Sequence, residues 1–87
     1  MGYENEMKIE FDSRSCNEGF IRVAVSAFMT QLNPTLEEVA DVKTAVSEAV
    51  TNCIVHAYDG KVEKITVSCH IEGKALCLSV KDTGCGI

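Results

Sequence analysis

Lys64-Ile65-Thr66-Val67-Ser68-Cys69-His70-Ile71-Glu72-Gly73-Lys74-Ala75-Leu76-Cys77-Leu78-Ser79-Val80-Lys81-Asp82 is the stretch that decides the fold. Ile65, Val67, Cys69 and Ile71 alternate with Lys64, Thr66, Ser68 and His70. After Glu72-Gly73, Leu76, Leu78 and Val80 alternate with Cys77, Ser79 and Lys81. A period of two marks a strand with one buried face, and a glycine-bearing break between two such runs marks a β-hairpin.

Upstream the period changes. Thr35-Leu36-Glu37-Glu38 is a capping box, in which the Thr35 hydroxyl accepts from the Glu38 amide and the Glu38 carboxylate accepts from the Thr35 amide. The helix it opens carries Leu36, Val39, Val42, Val46, Ala49, Val50 and Cys53 along one stripe, and it is expected to run to about Ala57, before the Asp59-Gly60 turn. A preceding helix, expected from about Ser13, places Phe20, Val23, Ala24, Ala27, Phe28 and Leu32 on one stripe; Gly19 weakens it by ~1 kcal/mol relative to Ala, and Asn33-Pro34 ends it. Before that, Met7, Ile9 and Phe11 alternate with Lys8, Glu10 and Asp12 as a first strand. The order β-α-α-β-β, with helices and strands segregated, predicts an α+β two-layer sandwich with helices on one face of a mostly antiparallel sheet.

Composition narrows the function classes. With 87 residues there is room for one hydrophobic core, and 46% hydrophobic with 24% charged residues is an ordinary globular composition. The net charge of -5 has the wrong sign for neutralising phosphates along a duplex or coating an anionic membrane, so neither nucleic acid nor membrane is an expected partner. No apolar run approaches the ~18 residues of a membrane span and the N-terminus lacks the charge and apolar pattern of a signal peptide, so a cytoplasmic location is expected. The five cysteines, Cys16, Cys53, Cys69, Cys77 and Cys85, are odd in number and form no C-x-x-C pair, which fits neither a disulfide framework nor a zinc finger. They are expected as small buried hydrophobes, except Cys85, which lies between two glycines.

Two features carry chemistry. On the second helix Glu48 and Asn52 lie within about 40° of each other and nearly opposite the apolar stripe. An isolated E-x-x-x-N is usually a solvated face, but Val55 lies on the same side, which predicts that protein or ligand partly covers it. The second feature is Asp82-Thr83-Gly84-Cys85-Gly86 at the end of the last strand. Glycines allow close backbone approach, and a carboxylate fixed at a strand end accepts hydrogen bonds from a base amino group; a plain glycine turn is the alternative.

In combination, an E-x-x-x-N helix followed by a hairpin and D-x-G-x-G resembles the N box and G1 box of the gyrase/chaperone/histidine-kinase ATPase superfamily, the Bergerat nucleotide-binding fold. More narrowly, Glu6-Met7-Lys8-Ile9-Glu10-Phe11, Phe28-Met29-Thr30-Gln31-Leu32-Asn33-Pro34-Thr35, Lys43-Thr44-Ala45-Val46-Ser47-Glu48-Ala49-Val50-Thr51-Asn52 and Ile54-Val55-His56 resemble the anti-sigma F factor family of endospore-forming bacteria. Members of that family are small dimeric serine protein kinases that inhibit a sporulation sigma factor and phosphorylate an anti-anti-sigma protein.

The resemblance implies ATP or ADP with Mg²⁺ as cofactors, Asn52 as the Mg²⁺ ligand and Glu48 as the general base toward the serine hydroxyl of the partner. It implies that Asp82 accepts from the adenine amino group while Gly84 and Gly86 let the backbone close on the base. His56 either reaches the nucleotide phosphates or balances the helix dipole. Arg22 is implied as a contact to both the sigma factor and the anti-anti-sigma protein; taken alone it is a solvated helix charge. Ala57 departs from the family, which commonly has glycine after the histidine. The second glycine box, the ATP lid and the final strands do not follow Ile87, so residues 1–87 are expected to be a single histidine-kinase-like ATPase domain incomplete at its C-terminus. The competing expectations are a non-catalytic binding module and another Bergerat-fold ATPase.

Overall fold

The computed structural model describes residues 3–55 and 62–82. Their order is β1 (Glu4–Asp12), α1 (Cys16–Met29), a 3₁₀ turn (Thr30–Leu32), α2 (Leu36–Val55), β2 (Lys64–Glu72) and β3 (Ala75–Asp82). The three strands form one antiparallel sheet in the order β1-β2-β3, so the expected α+β sandwich stands.

Register follows from the alternation. Met7, Ile9 and Phe11 of β1 oppose Cys69, Val67 and Ile65 of β2. Leu76, Leu78 and Val80 of β3 oppose Ile71, Cys69 and Val67. Directly opposed residues point to one face, so a single apolar surface runs across all three strands. Ile65, Val67, Cys69 and Ile71 at its centre are buried, and the helices cover it. The opposite face carries Glu6, Lys8, Glu10, Thr66, Ser68, His70, Cys77, Ser79 and Lys81, a polar row of the kind that an antiparallel sheet turns to water.

Local chemistry fixes the ends. The capping box forms as read: the Thr35 amide donates to Glu38 Oε1 at 2.8 Å, and the Glu38 amide donates to Thr35 Oγ1 at 3.1 Å. Asn33 sits in the left-handed region at φ 50°, a conformation asparagine tolerates, and reverses the chain between the 3₁₀ turn and α2. Gly73 opens the two-residue turn between β2 and β3 at φ +65°, where a side chain would be strained. At the other end of the sheet Lys64 Nζ donates to Asp12 Oδ1 at 2.6 Å across strands, and the Glu63 amide donates to the buried Ser13 hydroxyl at 2.8 Å.

The structure corrects three expectations about burial. The core face of α1 is Ile21, Val25 and Met29, with Ala24 and Phe28 packed beside it, whereas Phe20 and Val23 are 53% and 64% exposed. Apolar residues occupy most sides of α1, so period alone did not choose the phase. Leu36, the first residue of α2, is 91% exposed; Val46 and Val50 are the residues of this helix that are fully buried. Among the cysteines Cys69 is buried and Cys53 half-buried, but Cys16 and Cys77 are exposed. Cys77 falls on the polar sheet face opposite His70, and Cys16 opens α1. Ala57, Asp59, Gly60 and Cys85 lie outside the described residues.

Candidate functional site

Four of the predicted site residues are described. Val46 and Val50 turn one side of α2 into the core, which forces Glu48 and Asn52 onto the opposite side, and both are exposed. They stand one helical turn, about 6 Å, apart along the axis. Val55 is 67% exposed, so among the described residues no protein covers this face as its presence had predicted. Asn52 is not a free side chain; it has an interaction of its own.

Asp82 is the last residue of β3 and opposes Ile65, a fully buried residue of the helix-covered face. The register therefore directs Asp82 to the layer that holds α2, in line with Leu78 and Val80, rather than to the polar face. It is half-buried and engaged in an interaction. His56, Gly84 and Gly86 lie outside the described residues.

Arg22 lies on α1, yet it shares a groove with Glu48. That groove runs between α1 and α2 and is lined also by Val23, Leu36, Lys43 and Ser47. The structure thus brings together a residue expected to meet partner proteins and the one expected to activate a hydroxyl. Arg22, Lys43 and Glu48 are the charged side chains that line it, and Arg22 is already paired with Glu18 of its own helix. Among the described residues a larger cleft lies elsewhere: Tyr3, Met29, Leu32, Val42 and Leu76 line it, and none of Arg22, Glu48, Asn52 and Asp82 does. The exposed face of α2 that carries Glu48 and Asn52 is separate from that cleft, and size alone does not make a site.

Sequence reasoning missed Glu18. Its Oε2 stands 3.4 Å from Arg22 Nη1, and the i,i+4 spacing of Glu18 and Arg22 was the available signal. Among the described residues no three His, Cys, Asp or Glu side chains are grouped to hold a metal. No helix among the described residues is long and apolar enough to cross a membrane.

Comparison with known proteins gives this arrangement a family. The chain is 56% identical over 85 residues to an anti-sigma F factor of Clostridium kluyveri, covering 98% of this chain and 60% of that protein. It is 53% identical over 87 residues to an anti-sigma F factor of a Thermoanaerobacter species, covering 100% and 61%, and 51% identical over 86 residues to one from Clostridium botulinum, covering 98% and 60%. The chain therefore spans about three fifths of the length of these curated relatives. The family model of the histidine kinase-like ATPase domain matches residues 12–87, and with α1 and α2 packed on one face of the antiparallel sheet the chain belongs to that family.

Proposed function

We propose that this chain is the nucleotide-binding part of an anti-sigma factor that holds a sporulation sigma factor and uses ATP to phosphorylate an anti-anti-sigma protein on serine. The observation that carries the reading is the placement of Glu48 and Asn52 on one exposed turn of α2, in a chain 51–56% identical to proteins named anti-sigma F factor. Bound ATP with Mg²⁺ supplies the transferable phosphoryl group and the positive charge that steadies it.

Each residue then has a defined task. Asn52 offers its amide oxygen, a hard ligand suited to Mg²⁺, which takes one or two protein ligands and completes its shell with phosphates and water. Glu48, one turn earlier, receives the proton of the attacking serine hydroxyl. Asp82 accepts from the exocyclic amino group of the base, with Gly84 and Gly86 closing the backbone on it. His56, four residues after Asn52 in the sequence, either reaches the nucleotide phosphates or balances the helix dipole. Arg22, at the edge of the groove that Glu48 borders, meets the protein partners. The net charge of -5 suits a basic partner surface. A second copy of the chain completes the dimer expected of the family.

The test is isothermal titration with Mg-ATP of wild type and Asn52→Ala, together with capture of sigma factor F. Saturable Mg-ATP binding that Asn52→Ala removes supports the site. Absence of binding, or binding unchanged in Asn52→Ala, refutes it. Capture of sigma factor by a chain that binds no nucleotide would favour the non-catalytic binding module, the reading that the Arg22 groove alone supports.

A further inference from the structure

Glu18 and Arg22 are one turn apart on α1, and the guanidinium folds back along the helix to meet the carboxylate. Arg22 Nη1 is 3.4 Å from Glu18 Oε2, and Nη2 lies 3.9 Å from the place a β-carbon on Gly19 would occupy. The pair is asymmetric: the Glu18 side chain is 22% exposed and that of Arg22 43%. Oε2 of Glu18 is shut away from solvent and makes no hydrogen bond, so the guanidinium is what compensates its charge. In an ordinary solvated helix pair both heads stay in water. Here one carboxylate oxygen is buried, and of the two heads it is the guanidinium that lines the groove with Val23, Lys43, Ser47 and Glu48.

We propose that Glu18 is a positioning residue for partner recognition: it holds the Arg22 guanidinium in one orientation at the groove edge, ready for an acidic group of the partner. This rests on the reading that Arg22 contacts partner proteins. An unrestrained arginine loses much rotamer freedom when it binds, whereas one already held by a neighbouring carboxylate has less to lose.

A double-mutant cycle on the full chain tests it, with purified sigma factor F as the probe and Glu18→Gln, Arg22→Ala and the double variant compared at matched circular dichroism. Glu18→Gln keeps shape and removes the charge. The expected result is a loss of affinity of about threefold to fivefold in the Arg22 background, as for a partly exposed ion pair, and no further loss in Arg22→Ala. A silent Glu18→Gln beside a damaging Arg22→Ala overturns the positioning role alone. So does an equal loss in both backgrounds, which would mark a purely structural role. Wild type without measurable affinity, or Arg22→Ala without effect, overturns the parent reading and this one with it.

Discussion

Val50→Ala should be the costlier of two identical truncations on α2. Val50 is fully buried among Ile21, Val25, Val46, Ile65 and Val67, at the junction of both helices with the sheet. Replacing it by alanine removes two carbons from the core. At ~0.8 kcal/mol per buried methylene the transfer loss is ~1.6 kcal/mol, and a partly collapsed cavity adds ~1 kcal/mol, so about 2–3 kcal/mol is expected. For a domain of this size that lowers the melting midpoint by roughly 10–20 °C. The control is Val55→Ala, about one and a half turns further along at the helix end, where the valine is 67% exposed. There the cavity is absent and alanine is the better helix former, so a change within ~0.5 kcal/mol is expected. Urea unfolding followed by far-ultraviolet circular dichroism measures both. If Val50→Ala costs less than ~1 kcal/mol, or no more than Val55→Ala, then α2 is not anchored through this face and the outward placement of Glu48 and Asn52 loses its basis.

Thr35→Ala removes one arm of the capping box and should cost ~1 kcal/mol in the same urea assay, while Thr35→Ser should cost far less, since the hydroxyl remains. The Lys64 ammonium bonded to Asp12 holds that carboxyl below its ordinary value of 3.8. A depressed carboxyl contributes stability that is present above pH 3.8 and is lost as pH falls through the folded-state value, so Asp12→Asn should flatten the acid limb of a stability profile below about pH 4 and a wild-type-shaped limb would contradict the pairing. Burial raises the Cys69 thiol above its usual value. In native conditions a maleimide should therefore label Cys16 and Cys77 quickly and reach Cys69 only after denaturant is added, which mass mapping would show.

How much of this was legible in the residues depends on how many physical signals agreed at each element. The hairpin and β1 were read with the right faces, because strict alternation leaves only one way to bury Ile65, Val67 and Cys69. The start of α2 was legible from Thr35 and Glu38, since capping chemistry is local and needs no tertiary context. The phase of α1 was not. Phe20, Ile21, Val23, Ala24, Val25, Ala27, Phe28 and Met29 offer apolar side chains on most sides of one helix, and only the position of the sheet selects Ile21 and Val25 over Phe20 and Val23. At the site, spacing located the shared face of Glu48 and Asn52, but the nearness of Arg22 to Glu48 depends on how α1 and α2 pack, which no period encodes.

The two-residue turn at Gly73 has an effect well beyond the hairpin that it closes. It acts as a parity device: with Glu72 opposite Ala75, every even-numbered residue of β3 from Leu76 to Asp82 faces the helices and every odd one faces away. Inserting a single residue that shifted the pairing by one would leave strand composition, turn and sheet in place, yet it would trade Leu76, Leu78 and Val80 for Cys77, Ser79 and Lys81 and carry Asp82 to the wrong side of the sheet. Length variation among sequences built on this scaffold is therefore expected to avoid odd changes in that turn, a constraint that acts on a surface loop through a carboxylate nine residues away.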